Sequence, residues 1–345
     1  MLSIGRFVNS SGQRLLRHAD AFWPTSMALT YAVGGWMAGL LMLVSGAAWP
    51  YLLVATVLLA HAMVIAAYLL HEAAHNAVFS ANRHNEWLGE AMSWLCGASY
   101  CTFSDIRRKH MRHHIDNADV VAFDYRAFLL RHPLLLRVVK AAEFVYIPAV
   151  ELIMHAMQIL SPFVYETRRD RRGRVLRVGL IRGGLFLALL LWQPLAAALY
   201  VVAYLMMITM LRFNDAFQHN FTLHTDLDGD PDKTLRGDRD YEQSHTFSNL
   251  VSTRIPLLNA VSLNFAYHNA HHEKPTQPWY SLPRLHDALF QDDRSQVLSL
   301  RQQLQAYHRN RVARVLSVET DEGYRERMAQ GSGLGAAGVS FLTPV

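Results

Sequence analysis

The chain has 345 residues, 51% of them hydrophobic and 18% charged, with a formal net charge of +5. Its apolar residues come in runs long enough to cross a bilayer, which excludes an ordinary soluble domain. The arginines cluster in loops, the positive-inside pattern of a membrane protein rather than a nucleic-acid footprint.

Basic residues Arg6, Arg14 and Arg17 precede the first apolar run, which has no cleavage site and is expected to be retained as a helix. Met27 to Ala48 and Tyr51 to Leu70 are predicted spans, since a core of ~30 Å needs about 20 apolar residues. The uncharged turn Ala47-Ala48-Trp49-Pro50 makes them a hairpin whose second helix ends at His71. Trp87 to Phe103 is too short and polar to span and is expected to lie at the interface. Leu134 to Phe163 is apolar but broken by Lys140, Glu143, Pro148, Glu151 and His155, and is also assigned to the interface. The loop Tyr165 to Arg177 carries six arginines and is expected to be cytoplasmic. Val178 to Phe213, split by Trp192-Gln193-Pro194, fits a second hairpin. The fold expected is an all-α integral membrane protein: four transmembrane helices in two hairpins, interfacial helices, and a cytosolic helical cap. One domain is expected over residues 1–328, and the Gly/Ser/Ala-rich stretch 329–345 is expected to be a disordered tail. Cys96 and Cys101 form no CxxC pair and suit a reducing cytosolic side.

Three histidine clusters stand out against this frame: His71-Glu-Ala-Ala-His75, His110-Met-Arg-His113-His114 and His268-Asn-Ala-His271-His272. On a helix, spacings of three and four place the imidazoles on one face. A zinc ion takes three or four protein ligands, so eight histidines suit two ions. The pattern points to a dinuclear, all-nitrogen centre, for which iron, zinc and copper are all suitable. The four predicted spans put all three clusters on one side of the membrane; one span more or fewer would separate them.

The clusters read HxxxH, HxxHH and HxxHH in order. With Asn264-Phe-Ala-Tyr-His268-Asn-Ala-His271-His272-Glu-Lys-Pro275 and Pro278-Trp279-Tyr280, the chain resembles the membrane fatty acid desaturase superfamily, its bacterial acyl-lipid branch in particular, over roughly residues 50 to 290. The resemblance implies a di-iron centre, O2 as co-substrate, two electrons from an external ferredoxin-like or cytochrome-like donor, and C–H cleavage in a fatty acyl chain of a membrane lipid or acyl thioester. It also implies a bacterial inner membrane setting, and the four spans, with uncharged turns outside and arginine-rich loops inside, put the metal site and both termini in the cytoplasm. A further ligand from the end of the fourth span falls on His219, and Asp215 is placed where some relatives hold a metal-bound water. Glu72, Asp105, Asp116 and Asp119 are candidate partners that orient the ligating imidazoles, and His245 either supports the centre or caps a helix. The donor is expected to dock on the basic face near Arg107 to Arg112. Hydroxylation or carotenoid ketolation by the same superfamily is the alternative outcome.

His71-Glu72-Ala-Ala-His75 is also an HExxH zinc-protease signature, with Leu227-Asp228-Gly229 imitating a third-ligand motif. That reading is set aside, because it leaves both HxxHH clusters unexplained. His61, ten residues before His71, is expected to be a hydrogen-bonded interior histidine, and Met206, Met207 and Met210 to be packing residues.

Overall fold

A computed structural model describes residues 14–46, 48–221, 224–230, 233–317, 323–336 and 341–344. Arg6 and Ala47, named above, lie outside these residues. Among the described residues, four helices are long and apolar enough to cross a membrane. Helices α1 (Phe22–Val44) and α2 (Trp49–Ala74) form the first hairpin. At 1.5 Å per residue, 23 and 26 residues give helices of about 35 and 39 Å, ample for a ~30 Å core. Pro50 sits in the first turn of α2, where its missing N–H costs no hydrogen bond. The hairpin packs closely at Gly39: a Cβ there would fall 2.9 Å from the Leu59 Cβ, so a small residue sets the helix separation.

After α2 come α3 (Asn82–Cys96) and α4 (Phe103–Asp116), the short strand β1 (Asp119–Val121), and helices α5 (Tyr125–Arg131), α6 (Pro133–Phe144) and α7 (Ala149–Val164). The expected break in the apolar stretch 134–163 falls between α6 and α7, where Tyr146 has φ 65° and Pro148 precedes the new helix. Helix α3 stops at Gly97, with φ 85°; a Cβ there would meet the Tyr204 ring at 2.5 Å, so both backbone and packing require glycine. Helix α4 starts from a capping box. The Thr102 hydroxyl accepts from Asp105 N at 3.1 Å, and the Asp105 carboxylate accepts from Thr102 N at 3.3 Å.

The second hairpin is α8 (Arg172–Trp192) and α9 (Pro194–Asp215), broken at Gln193 as the sequence predicts. Trp49 and Trp192 are exposed at the two hairpin turns. The remainder comprises β2 (His224–Asp226), α10 (Arg239–Ser244), β3 (Ser248–Leu250), α11 (His268–Glu273), α12 (Leu282–Phe290), β4 (Val297–Ser299), α13 (Leu300–Asn310) and α14 (Tyr324–Ala329). Two parallel ladders, β1–β2 and β3–β4, tie these pieces together.

Helix α2 is the axis. It packs against α1, α3 and α9, and 72% of its most apolar window is buried, against 11% for the span that includes α8. Leu180 and Leu191 on α8 and Leu41 on α1 point outward, as expected of a surface solvated by lipid. Leu59, Met63, Leu70, Met207 and Leu211 fill the interior, joined by Met206 and Met210 as packing residues. His61 is tied at both ring nitrogens, to Tyr31 Oη at 2.6 Å and to Val261 O at 2.9 Å, which makes it a structural bridge.

The stretch 329–345 differs from the disordered tail expected of it, as far as its described residues go. Ala336 N donates to Ala216 O at 2.7 Å, and Phe341, Leu342 and Thr343 are buried. Its composition is poor in core formers, but Phe341 and Leu342 are both packed inside.

Candidate metal centre

Four chain segments converge at one end of the helix bundle. The last turns of α2 bring His71 and His75, α4 brings His110, His113 and His114, and α11 brings His268, His271 and His272. His219 arrives from the segment after α9, held by a backbone bridge to Thr246. These nine histidines form two groups: His71, His75, His110, His114 and His271 in one, and His113, His219, His268 and His272 in the other. Within each group the nearest ring nitrogens lie within 4.8 Å of one another, so each can hold a metal ion.

The finer geometry agrees with coordination better than with hydrogen bonding. His110 Nε2 lies 2.7 Å from His75 Nε2 and 3.2 Å from His114 Nε2. His219 Nε2 lies 2.7 Å from His268 Nε2 and 3.1 Å from His113 Nε2. A neutral imidazole has one N–H, and several of these are committed elsewhere. His113 Nδ1 donates to Ala118 O at 3.0 Å, and His272 Nδ1 to the Glu242 carboxylate at 2.7 Å. His219 Nδ1 donates to Thr246 Oγ1 at 3.2 Å, whose own proton goes to Glu242 O at 2.6 Å. The Nε2 atoms of these three rings are therefore lone pairs pointing inward. Nitrogens around a metal at 2.0–2.1 Å are separated by about 2.9–3.3 Å, so the observed spacings are close to the edges of a coordination polyhedron.

The Nε2 atoms of His71 and His272 are buried with no protein partner, a costly state unless a ligand takes them. Burial holds the imidazoles outside the membrane helices in the neutral form that ligates metals: it lowers His75, His110, His114, His219, His268 and His272 well below the usual histidine value, and His271 to about 3. A cavity of about 600 Å³ opens beside the centre, lined by His110, His113, His219, His268, Asp119 and Asp215 among others.

The sequence profile of the fatty acid desaturase family matches residues 47–303, most of the chain. The chain belongs to the fatty acid desaturase family. No curated protein gives a significant match.

In this desaturase-family chain Glu72, Asp105 and Asp116 are each held by partners other than an imidazole. Glu72 accepts a hydrogen bond from Trp279 N at 3.0 Å and so ties α2 to the turn after the third cluster. His245 is the C-cap of α10, with Nδ1 shared between Tyr241 O and Ser244 Oγ, and belongs to neither group. Asp105 caps α4 and pairs with Arg171 at 2.9 Å, and Asp116 pairs with Arg112 at 2.8 Å. Asp119 and Asp215 line the cavity.

Glu242 is the partner that sequence reasoning passed over. Its carboxylate holds His272 and its carbonyl anchors Thr246, which holds His219, so one residue orients two members of the second group. Burial pushes its carboxyl up to about 7. Glu242→Gln is expected to weaken metal retention by roughly 10–100-fold, the usual cost of losing such a partner. Metal titration of the purified variant checks this; unchanged affinity would remove Glu242 from the account.

Asp228 forms a pair with Arg168 at 2.6 Å and lies 3.7 Å from Arg108, so it is committed away from His71 and His75, and the protease reading loses its third ligand. Arg108 and Arg112 bond the carbonyls of residues 226–229, which makes them clamps on that loop. The arginines around the start of α8 also tether: Arg174 holds Glu90 and Ser99 O, and Arg171 holds Asp105.

Proposed function

We propose that this protein is an O2-dependent di-iron oxidoreductase that introduces a double bond into a fatty acyl chain of a membrane lipid or acyl thioester. The observation that carries the reading is the pair of all-imidazole groups set at the end of membrane-spanning helices, beside a cavity large enough for part of a chain. The overall change is –CH2–CH2– + O2 + 2e⁻ + 2H⁺ → –CH=CH– + 2H2O. Iron bound by these histidines would supply the oxidising power that side chains lack for breaking an unactivated C–H bond.

The protein's own contribution is positioning and exclusion of water. His71, His75, His110, His114 and His271 would hold one iron, and His113, His219, His268 and His272 the other. Phe265 packs against His71 and His268 with ring centroids 4.4 and 4.8 Å away, an apolar wall on the membrane side of the centre. The Glu242–Thr246 pair fixes two rings before any metal arrives.

We read the metal end as cytoplasmic, because the arginine-rich loop before α8 lies on that side. Reporter fusions at Trp49 and Gln193 are then expected to read external, and a fusion near Arg171 cytosolic; a cytosolic signal at Gln193 would break this topology. With no haem segment, ferredoxin cysteines or flavin fingerprint in the sequence, electrons come from a separate ferredoxin-like or cytochrome-like protein. The function is tested by comparing fatty acids of a host with and without the gene. New unsaturated acyl chains support desaturation, hydroxylated chains or ketolated carotenoids would move the protein to the alternative branch, and no oxidised lipid under aeration would reject the reading.

A further inference from the structure

The segment Phe341–Pro344 runs through the interior from the metal centre to the arginine-rich loop. The Phe341 ring lies 5.5 Å from the His71 ring and 5.8 Å from the His110 ring and lines the cavity. Leu342 is 1% exposed, and its carbonyl lies 4.0 Å from the Cys101 sulfur. Lys109 Nζ donates to Thr343 O at 3.0 Å, and Arg168 Nη1 to Pro344 O at 3.3 Å. Thr343 is fully buried. At ~3.3 Å per residue the four residues fill a slot about 13 Å long.

Three features separate this segment from ordinary core. It belongs to no helix or strand, and at its far end Lys109 and Arg168 bond its backbone carbonyls. Arg168 has a stronger partner in Asp228, with bonds of 2.6 and 2.9 Å, so withdrawal of the segment leaves that guanidinium paired. Its apolar end also stands where hydrocarbon must lie for a C–H bond to reach metals held by His71 and His110. The geometry points to a built-in occluder: Phe341 and Leu342 occupy the acyl-chain site beside the metal centre, and the acyl chain of the substrate displaces them. This rests on the acyl-oxidation reading above and names the place where that chain binds.

Displacement has a readout that needs no turnover. Cys101 is 5% exposed and lies under Leu342, and the chain has only one other cysteine, Cys96. In a Cys96→Ser background, maleimide labelling of Cys101 reports the slot in the full-length, metal-loaded protein. Labelling is expected to be slow in the parent. It should rise on the order of tenfold in a chain lacking residues from Phe341 onward, as expected where the open state is a minor population of about 10%. A full-length Phe341→Ser/Leu342→Ser variant is expected to show the same rise. Stearate in mixed micelles should slow the labelling of both variants again, and KM for the acyl substrate should fall while kcat holds. Unchanged labelling in both variants, loss of their metal, or no protection by stearate would each overturn the occluder. Protection by stearate in a protein that oxidises no acyl chain would keep the slot and reject the reaction instead.

Discussion

His271→Ala and His268→Ala are each expected to abolish acyl oxidation, although they belong to different imidazole groups. His271 is one of five in the first group, and His268 one of four in the second. Both are buried, so alanine leaves an apolar gap where the imidazole nitrogen was. Losing a partner that merely orients a ligand already costs roughly 10–100-fold, and losing the ligand itself should exceed that. The diagnostic is that both positions matter. A mononuclear enzyme using His71 and His75 would tolerate His268→Ala. His245→Ala is the control: its ring stacks on Tyr241 with centroids 3.9 Å apart, outside both groups, and it should retain metal and activity. Activity in the His268→Ala protein comparable to the parent would contradict a two-group centre.

The second large effect lies away from the histidines. Arg212 on α9 and Glu143 at the end of α6 are 1% and 3% exposed. Arg212 Nη1 bonds both carboxylate oxygens, at 2.6 and 2.7 Å, and Glu143 Oε1 also accepts from Val150 N, at 3.1 Å, at the start of α7. The pair pins the α6–α7 corner to the helix that leads into Asp215 and His219. Removing one member strands the other charge in a low-dielectric site, so Glu143→Ala or Arg212→Ala should cost about 3–5 kcal/mol. Glu143→Met/Arg212→Met, which removes both charges and keeps much of the volume, should cost less than either single change. Thermal unfolding of the three variants in one detergent checks the order. A double variant as unstable as the sum of the singles would show that the pair is not acting as a unit.

The sequence makes some of this legible and hides the rest for identifiable reasons. The three clusters announce themselves because ligands three and four apart on a helix need no knowledge of the rest of the chain. The hairpins are legible because an apolar run of bilayer length has few soluble uses. Asp105 carried a local signal that points away from the metal: Thr102-x-x-Asp105 opening a helix is a capping pattern. Glu242 was hidden because its bond to His272 joins residues thirty apart, while His245, three residues on, drew attention as a histidine. Arg108, Arg112 and Arg168 look like surface charge until the chain folds loop 225–229 onto them. Residues 329–345 look uninvolved by composition, yet Phe341 reaches the centre.

Metal content tests the central claim most directly. Protein purified from cells supplied with iron is expected to carry two irons per chain, with the ratio falling in both His271→Ala and His268→Ala. A single tightly held zinc per chain, unaffected by His268→Ala, would contradict the account.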